Sequence, residues 1–191
     1  MAERRRRPPD PEPIGPNQAL DLAARFLATR PRSRWEVQRR LARTTADPGT
    51  VERTLTRLEE MGLVDDAVFA RWWRGQRDRH APRGRRMLES ELRAKGVPRD
   101  VIEELRQTEP EWAPEEGGLP TTEEERANEA LDAHLRGRPV PTDRRALERI
   151  GMYLVRRGFD PGAARSLLRE RAALAAEAGS DATDDLSQPA D

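Results

Sequence analysis

The chain of 191 residues contains no cysteine, only two histidines and only eight phenylalanine, tryptophan or tyrosine side chains. The lack of cysteine excludes disulfide bonds, thiol catalysis and cysteine-ligated zinc, and His80 and His134 alone are too few for a histidine-rich metal site. No apolar run approaches the roughly 20 residues of a membrane-spanning helix. The arginine-rich start, residues 1–7, is not followed by the apolar segment of a secretion signal. We therefore expect a cytoplasmic protein that does not enter membranes and needs no metal or cofactor.

Acidic and basic side chains are equal in number, 35 of each, but they are unevenly distributed. Residues 14–108 carry 20 basic and 14 acidic side chains (net +6), and residues 130–175 carry 10 and 5 (net +5). Between them, residues 109–129 hold eight acidic side chains and one arginine (−7), and residues 176–191 hold five acidic side chains and no basic one (−5). Each of the two basic segments is thus followed by an acidic one. Such a charge distribution is informative about the binding partners of the protein rather than about its fold.

The pattern of apolar residues predicts an all-α protein, because residues 17–175 lack the alternation of apolar and polar side chains that marks strands. We predict nine helices, at residues 17–29, 33–43, 48–61, 66–80, 84–95, 98–107, 122–136, 142–157 and 161–175. They form an elongated array of three tandem three-helix repeats, at 17–64, 65–108 and 122–175, with an acidic linker at 109–121. The proline- and arginine-rich arm 1–16 and the acidic tail 176–191 are predicted to be disordered.

Local capping signals support these helix boundaries. Ser33 and Glu36 have the spacing of a capping box, in which the serine caps the helix and the glutamate reaches back to the cap. Further N-caps are expected at Asp47, Asp65 or Asp66, Thr142 and Asp160. Left-handed glycines followed by an apolar residue are expected to end three helices, at Gly62-Leu63, Gly96-Val97 and Gly158-Phe159. The Asp65-Asp66 pair is interpreted as capping rather than catalytic, because no base, metal ligand or nucleophile accompanies it.

Comparison of the chain with itself indicates an internal repeat. Residues 92–106 (LRAKGVPRDVIEELR) align without gaps on residues 154–168 (LVRRGFDPGAARSLL), an offset of 62 residues. A three-helix unit of about 40 to 50 residues is too small to bury a sizeable core alone. We therefore expect adjacent repeats to support one another.

The order and spacing of several motifs resemble the N-terminal pattern of the RecX family. These motifs are ALDLAARFL (19–27), RSRWEVQRRL (32–41), VERTLTRLEEMGLVDDAVFA (51–70), RG (83–84) and LESELRAKGV (88–97). The resemblance covers residues 17–106 and, less closely, 122–175. It implies a bacterial regulator of the RecA recombinase, built from tandem three-helix repeats, that lies in the groove of the RecA filament on single-stranded DNA and limits its growth or activity.

The sequence departs from that pattern in two places. The acidic insertion at 109–120 lengthens the connection between the second and third repeats and leaves their relative placement open. Ala163-Ala164 stands in the third repeat where the second has Val101-Ile102. Two alanines at this position predict a thinner core or a closer approach of the helices.

The function expected from the resemblance is regulation without catalysis. The expected protein is a monomer, not an enzyme, and its partner is the RecA filament, with the single-stranded DNA inside it as a second candidate contact. Such a protein would act in the regulation of DNA repair, recombination and the SOS response. No phosphate-binding loop, nucleophile elbow or metal-ligand cluster is present in the sequence. The alternative is a stand-alone helix-turn-helix-like DNA-binding module, against which the zero net charge argues.

The helix predicted at 66–80 sets two adjacent tryptophans among arginines. At 100° per residue, Phe69 and Trp73 lie on one side and Arg71 and Arg74 on the other. We interpret the aromatic side chains as core and the arginines as a contact surface for DNA phosphates or an acidic protein groove. Trp35 points towards the side of Arg39, either as a partner anchor or packed against a neighbouring helix. The candidate partner-binding residues are Trp35, Arg71, Arg74, Arg77, Arg83, Arg85, Arg86, Arg156 and Arg157.

Overall fold

The structure, a computed structural model, describes residues 12–107 and 122–184. These ranges contain nine α-helices and no β-strand. The helices are α1 (Pro16–Leu27), α2 (Arg34–Leu41), α3 (Pro48–Glu60), α4 (Asp66–His80), α5 (Arg85–Ala94), α6 (Arg99–Gln107), α7 (Glu123–Leu135), α8 (Arg144–Arg156) and α9 (Pro161–Asp184). The prediction of an all-α chain is confirmed within the described ranges. Every helix boundary except the last lies within two residues of its predicted position.

Each triplet of helices encloses its own hydrophobic core. We refer to α1–α3 as repeat 1, α4–α6 as repeat 2 and α7–α9 as repeat 3. The largest fully buried apolar side chains are Leu41, Leu55 and Leu58 in repeat 1, Phe69 and Leu92 in repeat 2, and Leu131, Leu154 and Phe159 in repeat 3. In repeat 3, Ala164 takes the core position that Ile102 has in repeat 2, and Leu168 joins the core where repeat 2 has Arg106. The smaller side chain at position 164 is thus accompanied by an additional leucine.

The helix N-termini follow the predicted capping chemistry with two differences. Side-chain oxygens cap α3 at Asp47, α4 at Asp65 and the start of α9 at Asp160, as predicted. Ser33 Oγ accepts from the Glu36 N–H at 3.2 Å, but the Glu36 carboxylate binds Arg30 and Lys95 instead of returning to the cap. The capping box prediction was therefore half right. The prediction of Thr142 as a cap was wrong, because Asp143 accepts from the Ala146 N–H at 2.9 Å.

Three helices end at a glycine in the left-handed region, as predicted. Gly62, Gly96 and Gly158 have φ values of +67°, +74° and +92°. In each case the N–H of the following residue donates to the carbonyl five positions back, from Leu63 to Leu58, Val97 to Leu92 and Phe159 to Leu154. This is the Schellman geometry, which satisfies carbonyls that the helix end would leave unpaired. The turn follows the second helix of repeats 2 and 3, at Gly96 and Gly158, and the third helix of repeat 1, at Gly62.

The last helix is longer than predicted. α9 runs to Asp184, whereas the sequence pattern placed its end at 175 and assigned the following residues to a disordered tail. The prediction was wrong for the first nine of those residues because it weighed acidic composition above helix propensity. Residues 172–178 read AALAAEA, and alanine, leucine and glutamate are among the strongest helix formers.

The termini and the linker are described only in part. Residues 12–15 precede α1, and Thr45 fixes them to repeat 1: its hydroxyl donates to the Glu12 carbonyl at 2.8 Å and accepts from the Ile14 N–H at 3.2 Å. The end of the predicted arm is therefore ordered. The rest of the arm, the acidic linker from 109 to 121 and the last seven residues of the tail lie outside the described residues.

Repeats 2 and 3 meet through direct backbone contact. The Gly84 N–H donates to the Arg157 carbonyl at 3.0 Å, and the Arg86 N–H donates to the Gly158 carbonyl at 3.3 Å. The approach is so close that a Cβ atom on Gly84 would lie 2.2 Å from the Phe159 nitrogen. The N-terminus of α5 and the turn that ends α8 are thus locked together, and glycine is required at position 84.

An equivalent contact joins repeats 1 and 2. Ser33, the N-cap of α2, donates from its hydroxyl to the Lys95 carbonyl at 2.7 Å, in the turn that ends α5. Lys95 and Arg157 correspond under the 62-residue offset, and Ser33 and Gly84 are both the N-caps of the second helix of a repeat. The same joint is therefore used twice, which confirms that adjacent repeats support one another.

We expect Gly84→Ala to destabilise the protein. The added methyl group would overlap the backbone of repeat 3, and forced overpacking of this kind lowers the free energy of unfolding by about 1–3 kcal/mol. The matched control is Gly75→Ala in the interior of α4, where a Cβ would meet no atom within 4 Å and where alanine raises stability by up to about 1 kcal/mol. Urea denaturation followed by circular dichroism measures both. Equal free energies of unfolding for the two variants would contradict the requirement for glycine at position 84.

Candidate partner-binding surfaces

The aromatic side chains of α4 belong to the core of repeat 2, as predicted. Phe69 is fully buried, and its ring centroid lies 6.0 Å from that of Trp72 and 5.9 Å from that of Trp73. Trp73 Nε1 donates to the Glu91 carboxylate at 2.9 Å. The Arg30 guanidinium of repeat 1 lies 5.1 Å from the Trp72 ring centroid. Both tryptophans therefore pack on the core of repeat 2, and Trp72 also contacts repeat 1.

Four of the candidate arginines are partly buried and make contacts inside the chain. Arg77 Nε lies 2.7 Å and Arg83 Nε 3.8 Å from the Glu91 carboxylate. Arg157 Nη1 donates to the Pro82 carbonyl at 3.1 Å, across the joint between repeats 2 and 3. Arg74 Nη1 donates to the Leu105 carbonyl at 3.3 Å, and burial lowers its pKa. Sequence reasoning assigned these four to a partner, and the structure places them in the internal framework of the repeats.

The other four candidate arginines, Arg71, Arg85, Arg86 and Arg156, are exposed. Arg85 lies 3.8 Å from the Glu123 carboxylate with 53% of its side chain exposed, and Arg86 lies 3.5 Å from the Asp160 carboxylate with 67% exposed. Exposed pairs at such distances contribute about 0–1 kcal/mol. A polyanionic partner can therefore replace the carboxylates in these two ion pairs at little cost in free energy. All four exposed arginines remain candidates for contact.

A basic groove in repeat 1, here called the repeat-1 groove, surrounds Trp35. It has a volume of about 910 Å³ and lies between α1 and α2, with one wall completed by Lys95 of repeat 2. Its lining includes Phe26, Trp35 and five arginines, Arg25, Arg32, Arg39, Arg40 and Arg43. The acidic residues of the lining are Asp21 and Glu36, and Glu36 is already paired with Lys95. The groove therefore presents a strong excess of positive charge beside apolar rings.

Trp35 is both packed and accessible. The Arg39 guanidinium lies 5.0 Å from its ring centroid. On another side, a Cβ on Gly96 would lie 2.4 Å from the Trp35 Cβ and 2.7 Å from its Cγ. The residue still has 36% of its surface exposed. Trp35 thus packs against the turn that ends α5. Its exposed surface keeps the alternative, a partner anchor, as a prediction.

Sequence reasoning placed Trp35 on the side of Arg39 but named none of the arginines of this groove as a candidate contact residue. Arg39 and Arg43 follow Trp35 at intervals of four and eight residues, and this spacing places side chains on one face of a helix. The signal was present in the sequence of α2 for Arg39, whereas Arg43 lies two residues beyond the end of that helix. Arg25 lies on α1, and only the packing of α1 against α2 brings it to the same groove, so no local pattern could have found it.

A buried ionic cluster supports the floor of the groove. The Glu36 carboxylate, only 10% exposed, binds Arg30 Nη1 at 3.1 Å and Lys95 Nζ at 3.0 Å. Burial alone would raise the pKa of Glu36, but hydrogen bonds and charge from Arg30 and Lys95 outweigh it, so the pKa is lowered. Glu36 therefore stays ionised and fixes the Lys95 turn to repeat 1.

The two adjacent aspartates have separate structural roles. Asp65 accepts from the N–H groups of Ala67 and Val68 at 2.7 and 3.0 Å. Asp66 Oδ1 accepts from the Arg34 N–H at 2.9 Å, and burial raises the pKa of Asp66. Asp65 thus caps α4, as predicted. Asp66 instead accepts from the first N–H of α2 in the neighbouring repeat. Within the described ranges, no group of three or more acidic or histidine side chains is arranged to hold a metal ion.

A buried carboxylate lies between α4 and α7. Asp78 is 7% exposed, and its Oδ2 lies 4.0 Å from Arg126 Nη1. Burial raises the pKa of Asp78 to about 6, and the opposing charges of Arg126 and Arg74 are too weak to prevent it. Near neutral pH the carboxylate is therefore charged at an energetic cost.

We expect stability to depend on pH through Asp78. Because its pKa is about 6 in the folded protein and 3.8 ordinarily, the folded state binds a proton that the unfolded state has released between these two values. The free energy of unfolding contributed by Asp78 therefore falls as the pH rises through this window. Asp78→Asn should weaken that fall. Urea denaturation at pH 4.5 and 7 tests this, with exposed Asp21→Asn as the control; an unchanged difference in Asp78→Asn would contradict the assignment.

The comparisons with known proteins agree with this architecture. Residues 19–58 match the family model described as RecX, first three-helix domain, and residues 65–105 match RecX, second three-helix domain. Two solved structures share the fold: RecX from Lactobacillus salivarius (TM-score 0.66, 15% identity, 82% of this chain and 96% of that one) and a regulatory protein RecX (TM-score 0.63, 18% identity, 80% and 70%). No helix in the described part of the chain is long and apolar enough to span a membrane.

Relatives identified by sequence extend the match over most of the chain. Regulatory protein RecX of Thermobifida fusca is 36% identical over 156 residues, covering 80% of this chain and 78% of the relative. Regulatory protein RecX of Chlorobium phaeobacteroides is 30% identical over 153 residues, covering 79% and 91%. Both alignments are too long to be confined to repeats 1 and 2. The chain therefore belongs to the RecX family of regulatory proteins.

Proposed function

We propose that this protein binds the RecA filament on single-stranded DNA in the cytoplasm and limits RecA activity there, without catalysis of its own. Membership in a family of regulatory proteins is the observation that carries the proposal. The mechanism is selective binding. A protein that prefers one assembly state of its partner shifts the assembly equilibrium by mass action.

The exposed arginines supply the surfaces that the proposal needs. The repeat-1 groove carries exposed Arg25, Arg39, Arg40 and Arg43, and repeats 2 and 3 carry exposed arginines outside it. Positive patches speed encounter with a polyanionic partner and fix its register. Tandem repeats in a fixed relative orientation suit a helical filament, because each repeat can contact a successive position along it.

A stand-alone DNA-binding module is the second candidate. The exposed arginines would then contact phosphates directly, and the affinity for bare single-stranded DNA would fall steeply with salt. The zero net charge of the chain and the internal use of four candidate arginines both reduce the positive surface available for this role. The filament is therefore the favoured partner.

We expect the protein to slow ATP hydrolysis by RecA on single-stranded DNA at amounts well below one molecule per RecA. Two charge-reversal variants test the surfaces, Arg39→Glu/Arg43→Glu in the repeat-1 groove and Arg71→Glu/Arg86→Glu in repeat 2. Each should raise the half-inhibitory concentration by about tenfold or more, the equivalent of about 1.4 kcal/mol. Arg74 and Arg83 are unsuitable targets because they hold internal contacts.

The control is Arg57→Glu on α3, where the arginine is 63% exposed and pairs with Glu60 one turn away. This variant makes the same arginine-to-glutamate change at a position outside both surfaces. It should inhibit RecA as strongly as the unmodified protein. If hydrolysis is unaffected at saturating protein while bare single-stranded DNA is bound, the DNA-binding module replaces the filament regulator as the function.

A further inference from the structure

Repeat 3 contains an open apolar groove between α8 and α9, here called the repeat-3 groove. It has a volume of about 690 Å³, within the range of ordinary ligand sites. Leu147, Gly151 and Val155 line it from α8, and Ala164 and Leu168 line it from α9. Met152 lies at its edge with 54% of its surface exposed. Apolar surface of repeat 3 is thus presented to solvent.

The same seam is closed by charge in repeat 2. Under the 62-residue offset, Glu89, Arg93 and Arg106 correspond to Gly151, Val155 and Leu168. In repeat 2 the Glu89 carboxylate lies 3.6 Å from Arg93 Nη2 and 3.5 Å from Arg106 Nε, so a three-residue ionic cluster covers the seam between α5 and α6. Repeat 3 replaces all three charges with apolar or missing side chains. The groove therefore results from side-chain differences on a shared backbone plan.

Gly151 is the residue that opens the groove. It lies in the middle of α8, where glycine disfavours the helix by up to about 1 kcal/mol relative to alanine. A Cβ at this position would meet only Leu168 Cδ1, at 3.6 Å, which is ordinary contact. No close approach requires glycine here, in contrast to Gly84. Its effect is to leave room beside Leu168 and Val155 for a side chain from elsewhere.

The rim of the groove is positively charged. Arg165 and Arg169 line it from α9, and both are exposed. On the α8 side, Arg144 Nε lies 2.9 Å from the Glu148 carboxylate, so these two charges offset each other. The remaining charge favours a partner with carboxylates beside its apolar side chains.

We propose that the repeat-3 groove is a docking site for an acidic amphipathic helix of a partner protein. The apolar face of that helix lies along Leu147, Gly151 and Val155, with its leading side chain in the recess at Gly151. Its carboxylates face Arg165 and Arg169. This is helix-in-groove recognition, with anchoring side chains three or four residues apart. The proposed docking site does not depend on whether the protein also binds a RecA filament.

The test uses the full chain with ¹³C-methyl methionine and a designed peptide of about 15 residues with leucines at helical spacing and glutamates elsewhere. Met152 and Met61 are exposed to similar extents, 54% and 50%, in different repeats. We expect the Met152 methyl signal to shift in a saturable way while Met61 does not. A peptide with lysine in place of glutamate should bind about tenfold more weakly or worse, since the rim is basic.

Gly151→Glu/Val155→Arg is the matched variant, because it restores the glutamate–arginine pair that repeat 2 carries at Glu89 and Arg93. It should abolish the Met152 shift while circular dichroism shows an unchanged helical fold; Gly151→Glu alone is the second variant if the double one is unstable. Equal shifts at Met61 and Met152, equal binding of the lysine peptide, or no shift at all would overturn the proposal. Retained binding in the folded variants would overturn it as well.

Discussion

The structure depends on one contact between backbones, the approach of the α5 N-terminus to the turn that ends α8. Two N–H groups of α5 donate to carbonyls of that turn, and the distance leaves no space for a side chain at position 84. The turn has the required shape because Gly158 adopts a φ of +92°, which is costly for other residues. A local helix-ending signal in repeat 3 thus produces the surface that the preceding repeat contacts.

The corresponding joint between repeats 1 and 2 forms part of the repeat-1 groove. Ser33 and Glu36 hold the Lys95 turn from the α2 side, and Gly96 in that turn supports Trp35. The repeat-1 groove therefore includes a residue of repeat 2 and exists in this form only while the joint is closed.

The helices and their ends were predictable from the sequence, whereas the use of the arginines was not. Caps such as Asp47 and turns such as Gly62-Leu63 involve residues within one helical turn, so a local pattern contains the whole interaction. Arg77 and Arg83 share Glu91, which lies on another helix, and Arg157 bonds to Pro82 of another repeat. Those partners become visible only after packing, so an abundance of arginine could not distinguish internal contacts from exposed ones. The length of α9 was misjudged because composition was weighed above helix propensity.

The three repeats show how one backbone plan can present different chemistry. The repeat-1 groove surrounds Trp35 with arginines, the α5–α6 seam of repeat 2 is closed by Glu89 and its two arginines, and the same seam of repeat 3 is open and apolar. The joints use backbone carbonyls of two turns, glycines and a few side chains such as Ser33 and Arg157, so most side chains of the exposed faces take no part in them. Surface residues can therefore diverge between repeats without loss of the array. A tandem architecture of this kind lets one small chain present a basic groove and an apolar groove on joined repeats, which a single three-helix unit is too small to provide.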